Sequence, residues 1–280
     1  MVKITSDSTA DLEELFEKRN IAVMPLNILL DGICYIDGET IKPQKIFDYY
    51  KEKKVLPKTA SRSVEDYEQF FKAQTADGSE VVHFCISAEM SSSYNNAEVA
   101  ARNVSGVRVV DSRSLSTGIG LLVLKACDFA DEGDDGETIF NKITELVPHV
   151  QASFVVDTME YLYKGGRCSG VKMLLASALS LKPMIILKDG KMVPGQKYVG
   201  KLGKCVDKYV STILKEYSNP DYSRIFITHT YADPEIVESV RKQIRGKAPQ
   251  FKEIIETHAG CTVTAHCGKG TLGILFINKP

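Results

Sequence analysis

Small hydroxyl residues and one histidine, none with the partners that would make it catalytic, are the groups in this chain best placed to do chemistry. Ser6, Ser8 and Thr9 follow a first strand-like run, and Thr59, Ser61 and Ser63 fill a short stretch after Pro57. Ser91, Ser92 and Ser93 follow another β-rich run, and His266 sits in a Gly-rich tail. Hydroxyls, backbone N–H groups and an imidazole can converge on the two oxygens of a carboxylate without the fixed charge of a lysine. The pattern favours holding a ligand over cleaving one.

Other chemistries stand beside that reading. A serine hydrolase acting on a lipid or ester, with Ser91 as nucleophile and His266 as base, is the alternative. It lacks a G-x-S-x-G elbow around Ser87 or Ser91, and the tail offers no nearby acid to orient the imidazole. A buried structural role would also account for His266. Gly268 to Gly273 carries the letters of the dinucleotide fingerprint, but a strand and the chain end follow it where a helix is required. The same stretch misses a phosphate loop because Gly268-Lys269 is followed by glycine. His258, Cys261, His266 and Cys267 are zinc-ligand types at a spacing no standard finger uses, and an extended His266-Cys267 pair would point apart, so no metal is expected. Lys164-Gly165-Gly166-Arg167 reads as a Gly C-cap followed by a solvated arginine.

The elements that must position these groups alternate β and α. Val2 to Ser6 leads into a helix from Asp11 with Leu12, Leu15 and Phe16 on one face. Val81 to Ile86 leads into a helix around Tyr94 to Arg102, and Val107 to Val110 into Thr117 to Ala130. Three such units predict a mainly parallel sheet. Ser8 or Thr9, Ser91 or Ser92, and Ser116 fall at the helix starts, so capping explains them as well as ligand binding does. Asn27 to Ile36 reads as a hairpin turned by Asp31-Gly32, with helices beginning near Pro43 and Ser63; Pro57 to Arg62 between them shows no strong pattern. After the Asp131 to Gly136 turn cluster and one more amphipathic helix, a second α/β region begins near Ala152, placing a domain boundary close to 150. It contains a strand Ser153 to Val156, a helix pattern at Thr158 to Tyr163, a helix near Val171 to Leu179 and a hairpin of Met184 to Leu187 with Lys191 to Tyr198. A helix Gly203 to Glu216, a strand Arg224 to Thr228, a helix Pro234 to Ile244 and a closing strand Leu272 to Ile277 complete it. The fold class is α/β: two α/β domains, 1–150 with a mainly parallel sheet and 151–280 with a mixed one.

With 280 residues and 44% hydrophobic content, two well-built cores are within reach. Lys and Arg total 35 against 36 Asp and Glu, which gives no electrostatic footprint for nucleic acid or an anionic membrane. The 7 cysteines are odd in number and scattered, and the chain opens on a strand-like run, so the expectation is a reduced cytoplasmic protein. No apolar stretch approaches the roughly 20 residues of a spanning helix, so no stable membrane insertion is expected.

Seven ordered blocks carry a resemblance over the whole length. They are Ser6-Asp7-Ser8-Thr9-Ala10-Asp11-Leu12, Lys58-Thr59-Ala60-Ser61, Ser87 to Tyr94, Val110-Asp111-Ser112, Tyr161 to Ser169, Lys182-Pro183-Met184-Ile185, and His258 to Gly273. Together they resemble the DegV family of bacterial lipid-binding proteins, whose characterised members serve as the fatty-acid-binding subunit (FakB type) of a fatty acid kinase. The resemblance implies one long-chain fatty acid clasped with its carboxyl between two α/β domains and its tail in a tunnel of the N-terminal one. It implies no cofactor and no catalysis in this chain, and a separate ATP-dependent kinase catalytic subunit as partner. Carried over by position, Thr59 and Ser91 would bind the carboxyl, with His266 and Arg167 behind it and Ser61 and Ser92 in support. Here Ala60 stands where the family usually has a hydroxyl, and Ser92 where it usually has glycine. Met90, Leu115 and Ile119 are candidate tail-lining residues.

Overall fold

The computed structural model of the chain describes residues 1–168, 170, 181–216 and 219–280. The helix expected near Val171 to Leu179 lies outside the described residues. The N-terminal domain is built on β1 (Val2–Asp7), β2 (Ala22–Met24), β6 (Glu80–Cys85) and β7 (Val107–Asp111), ordered β2-β1-β6-β7 with every pair parallel. Strand β6 is buried along almost its whole length, as a central parallel strand covered on both faces must be.

A second small sheet has the order β4-β3-β5, from β3 (Asn27–Leu30), β4 (Ile33–Ile36) and β5 (Lys58–Ala60). Asp31 and Gly32 take φ of 49° and 81°, the two positive values a primed hairpin turn requires. The stretch Pro57 to Arg62, which shows no pattern in sequence, supplies β5, with Thr59 in register with Ile28. Three residues are too few for an alternation signal, and pairing with β3 defines the strand.

Among the described residues the helices are α1 (Glu14–Lys18), α2 (Pro43–Lys53), α3 (Val64–Thr75), α4 (Ser93–Ala101), α5 (Thr117–Asp131), α6 (Gly136–Leu146) and α7 (Glu160–Gly165), then α8 (Leu202–Glu216), α9 (Pro234–Lys247) and α10 (Cys261–Cys267). Pro43 opens α2, and Ser63 with Asp66 forms a capping box on α3. Helix α1 begins later than the expected Asp11, because Asp11 and Glu13 adopt φ of 51° and 48° and break the helical path. Helix α5 is apolar nearly all round, the mark of a helix buried on every side.

The mixed sheet of the C-terminal domain has the order β11-β10-β9-β14-β12-β13 with β8 beside β14. Its strands are β8 (Val150–Gln151), β9 (Ser153–Val155), β10 (Leu181–Lys188), β11 (Lys191–Val199), β12 (Pro220–His229), β13 (Glu253–His258) and β14 (Leu272–Asn278). Among the described residues, only β12 and β13 run parallel within it. Strand β13 is an edge strand with no expectation from sequence. One hydrophobic cluster joins the domains: Ile4, Phe84, Ile119 and Leu122 pack in it with Phe226, Leu275 and Ile277. Among the described residues no helix is long and apolar enough to cross a membrane.

Candidate ligand-binding site

A cavity of about 300 Å³ lies where the ends of β5, β6 and α7 meet α10, and all six predicted site residues line it: Thr59, Ser61, Ser91, Ser92, Arg167 and His266. The rest of its wall is mainly apolar, with Leu26, Ile86, Met90 and Leu115 from the N-terminal domain facing Met192 and Val263 from the C-terminal one. Of the predicted tail-lining residues, Met90 and Leu115 are there, whereas Ile119 is buried in the shared core. A second, apolar cavity of about 30 Å³ shares Leu115, Val263 and Cys267 with the first and reaches Phe154 and Leu275.

His266 is carried on a helix. The glycines around it read as a tail in sequence, yet Cys261 to Cys267 form α10, capped behind by Gly268. Its Nε2 lies 2.9 Å from Thr59 Oγ1, while the buried Nδ1 has no hydrogen-bond partner among the described residues. A bare ring nitrogen is cheaper to bury than an unanswered N–H, so the proton is assigned to Nε2 and donated to Thr59. The Thr59 hydroxyl proton is thereby left to point at a further acceptor. Burial, reinforced by the Arg167 guanidinium, pushes the His266 pKa down to about 4, so the imidazole is neutral at physiological pH.

The serine loops are tied to each other. Ser61 Oγ and Ser92 Oγ are 2.7 Å apart, and Asn96 Nδ2 donates to Ser61 Oγ at 3.1 Å. Ser91 Oγ accepts from the Ser93 amide at 3.2 Å and lies 2.9 Å from Ser93 Oγ. Ser92 occupies the N-cap position of α4 without a side-chain capping bond, and Ser116 likewise gives α5 none, its hydroxyl being donated to Asp11. The capping account therefore fails for Ser92 and Ser116. The first 3-10 turn is capped by Asp7, whose carboxylate accepts from the Thr9 amide.

Exposed Arg167 donates to the Gly165 carbonyl at 2.8 Å beside the cavity. Helix α7 runs through Gly165, so Gly166, at φ 68°, is the C-cap. Gly165 has another reason to be glycine: a Cβ there would sit 2.5 Å from His266 Nδ1. Lys164 is engaged within the chain, 2.9 Å from Glu160 and 3.2 Å from the Tyr50 hydroxyl.

The ligand types clustered in the tail do not converge. His258 pairs with Glu13 at 3.1 Å, the Cys261 thiol donates to the Ile41 carbonyl at 3.4 Å, and His266 faces Thr59. His258 does meet His229 and Glu256 with ligand atoms within 4.8 Å. There, His229 Nδ1 accepts from the Ala232 amide at 3.2 Å, which fixes the proton on Nε2 facing Glu256, and Arg241 pairs with the same carboxylate. Glu256 is thereby engaged by both His229 and Arg241. Wall residues not foreseen were Leu26, Ile86, Met192, Thr262, Val263 and Cys267. Thr262 and Val263 lie four and three residues before His266, a spacing that marks them once the segment is known to be helical.

A protein-family model described as "Uncharacterised protein, DegV family" matches residues 1–279. A DegV domain-containing protein of Clostridium acetobutylicum is 30% identical over 281 residues, covering 99% of each chain. Among solved structures, that of a fatty-acid-binding DegV family protein from Thermus thermophilus superposes with a TM-score of 0.90 at 28% identity, covering 99% of both chains. A Thermotoga maritima protein described as revealing fatty acid binding function gives a TM-score of 0.83 at 27% identity, again over 99% of both.

Proposed function

The chain belongs to the DegV family, and from that premise we propose that it binds one long-chain fatty acid and presents the carboxyl to a separate ATP-dependent kinase, which forms the acyl phosphate. The carboxylate lies against Thr59 and Ser91, with His266 and Arg167 behind them and Ser61 and Ser92 at the rim. The tail follows the apolar wall past Met90 and Leu115. The observation that carries this reading is the convergence of all six polar side chains, from stretches up to 207 residues apart, on one cavity whose remaining wall is mainly apolar.

The energetics agree. Burying about 14 methylenes at about 0.8 kcal/mol each is worth roughly 11 kcal/mol before ordering and immobilisation are subtracted. The tail thus sets affinity, and the donors set orientation, because an unpaired carboxylate in a closed mouth carries a severe desolvation cost. The start of α4 at Ser92 and Ser93 adds a helix N-terminal dipole of the favourable sign. Holding is also favoured over hydrolysis by the pairing of His266 with Thr59 and of Ser91 with Ser93, with no hydrogen-bond partner on Nδ1 among the described residues to orient the ring as a base. We place the protein in the cytoplasm, where such a kinase has its ATP, and the division between domains close to residue 150.

Mass spectrometry of an organic extract of the purified protein tests the ligand directly. One equivalent of a C14 to C18 fatty acid is expected, while a protein that neither carries such a lipid nor takes up added palmitate refutes the proposal. Ester turnover abolished by Ser91→Ala would favour the hydrolase instead.

A further inference from the structure

Helix α10 has no side chain of its own to cap it, since Gly260 stands at the N-cap position. Its leading amides are taken instead by two carboxylates of the N-terminal domain. Asp11 Oδ1 accepts from the Gly260 amide at 2.9 Å. Asp37 accepts from the Cys261 amide at 2.9 Å through Oδ1 and from the Thr262 amide at 3.1 Å through Oδ2. The Thr262 hydroxyl adds a bond of 2.7 Å to Asp37, and the Ser8 hydroxyl another of 3.1 Å. Both carboxylates are 4% exposed, and a Cβ on residue 260 would already stand 3.1 Å from Asp11 Oδ1, so the approach is close because the position is glycine.

Asp37 directly follows β4, and Thr59 lies on β5 of the same small sheet. That sheet grips α10 twice: through Asp37 at the amide end, and through Thr59 at the His266 imidazole. Thr262 and His266 are four residues apart on one helix face, about 6 Å along the axis. A rigid sheet holding both points fixes the rotation and the axial position of α10, and with them the 2.9 Å between Thr59 and His266.

We propose that Asp37, assisted by Asp11, is a positioning residue for the ligand head-group site: it clamps α10 so that His266 orients the Thr59 hydroxyl. The consequence for lipid affinity rests on the fatty-acid reading above, whereas the effect on His266 does not.

The test uses the full-length, 15N-labelled protein stripped of lipid, with the His266 ring nitrogens followed by long-range 1H–15N correlation and palmitate affinity measured separately. Asp37→Asn is expected to move the His266 Nε2 resonance and weaken palmitate binding about tenfold or more. Asp135→Ala, which removes the N-cap of the distant α6, is expected to leave both as in the wild type. If Asp37→Asn does not fold, Thr262→Val, which removes only one donor to Asp37, must shift His266 in its place. A folded variant of either kind with His266 resonances identical to wild type overturns the proposal. A protein that binds no palmitate while His266 still responds to Asp37→Asn overturns the fatty-acid reading alone.

Discussion

Thr59 stands between a neutral imidazole and a cavity, so its hydroxyl is free to donate outward while its oxygen accepts from behind. Thr59→Val keeps the shape and removes both bonds. One neutral hydrogen bond is worth about 1 kcal/mol, and a donor to a carboxylate about 1.5–3. Palmitate affinity in titration calorimetry should therefore fall about 10-fold to 150-fold, with most of the tail energy retained. Since His266 titrates near 4, wild-type affinity should be flat from pH 6 to 8. A break centred between 6 and 7 would mean that an imidazolium holds the ligand. A second pH effect belongs to Asp7, whose burial raises its pKa to about 6, against the lowering by its bonds to Thr9 and Ile86. The folded chain keeps a proton there that the unfolded chain has lost between about pH 4 and 6. Stability from this group is therefore complete below about pH 4 and is lost as pH rises through 6, by about 3 kcal/mol. The unfolding free energy of wild type minus that of Asp7→Asn, from urea curves, should decline across that window. A difference that is constant with pH would contradict the assignment.

Gly165 is a point of close approach between α7 and α10. An added methyl would sit 2.5 Å from His266 Nδ1, too close for a real Cβ contact, so the ring or the backbone must shift. Gly165→Ala should cost about 1–3 kcal/mol in thermal unfolding, in the range of overpacked cores, and should weaken palmitate binding as Thr59→Val does. Unchanged affinity would show that the imidazole has no part in holding the head group. The same contact marks the limit of what the sequence discloses. The long helix α5 and the strands β6 and β14 are legible because burial on every side writes near-continuous apolar runs into their sequence. The six site residues are legible as polar groups at element ends, together with the family-like blocks around them. Strand β5 and helix α10 are not: the first is three residues long and exists through its pairing with β3, and the second is capped by carboxylates more than 200 residues away. Asp37 looks like an ordinary turn residue for the same reason. Glycine at 165 passes for a helix stop because its neighbour at 166 is one, and only the packing separates the two roles.

At the scale of the molecule, the shared core decides how the two domains respond to a ligand. Helix α5 is covered on one side by β1 and on the other by strands of the C-terminal sheet, and Ile119 and Leu122 pack in the same cluster as Phe226 and Leu275. Arg224 forks onto Asp128 at 2.5 and 3.0 Å, and Lys125 reaches Asp221 at 3.0 Å, so the edge of this interface is paired as well. Neither domain can unfold without exposing α5 to water, which argues for one cooperative transition across the proposed boundary near 150. A lipid in a cavity walled by both domains stabilises both together. At a free palmitate concentration 100 times the dissociation constant, the gain is about 2.7 kcal/mol. Hydrogen exchange through a urea series, read separately for peptides of the two domains, should give coincident midpoints that shift equally with palmitate. The shift should shrink at fixed palmitate in Thr59→Val without the midpoints separating, because that change lowers affinity and leaves the shared core intact. Two transitions, with only the N-terminal one moved by lipid, would mean that the ligand lies within one domain and that Met192 and Val263 are bystanders to its binding.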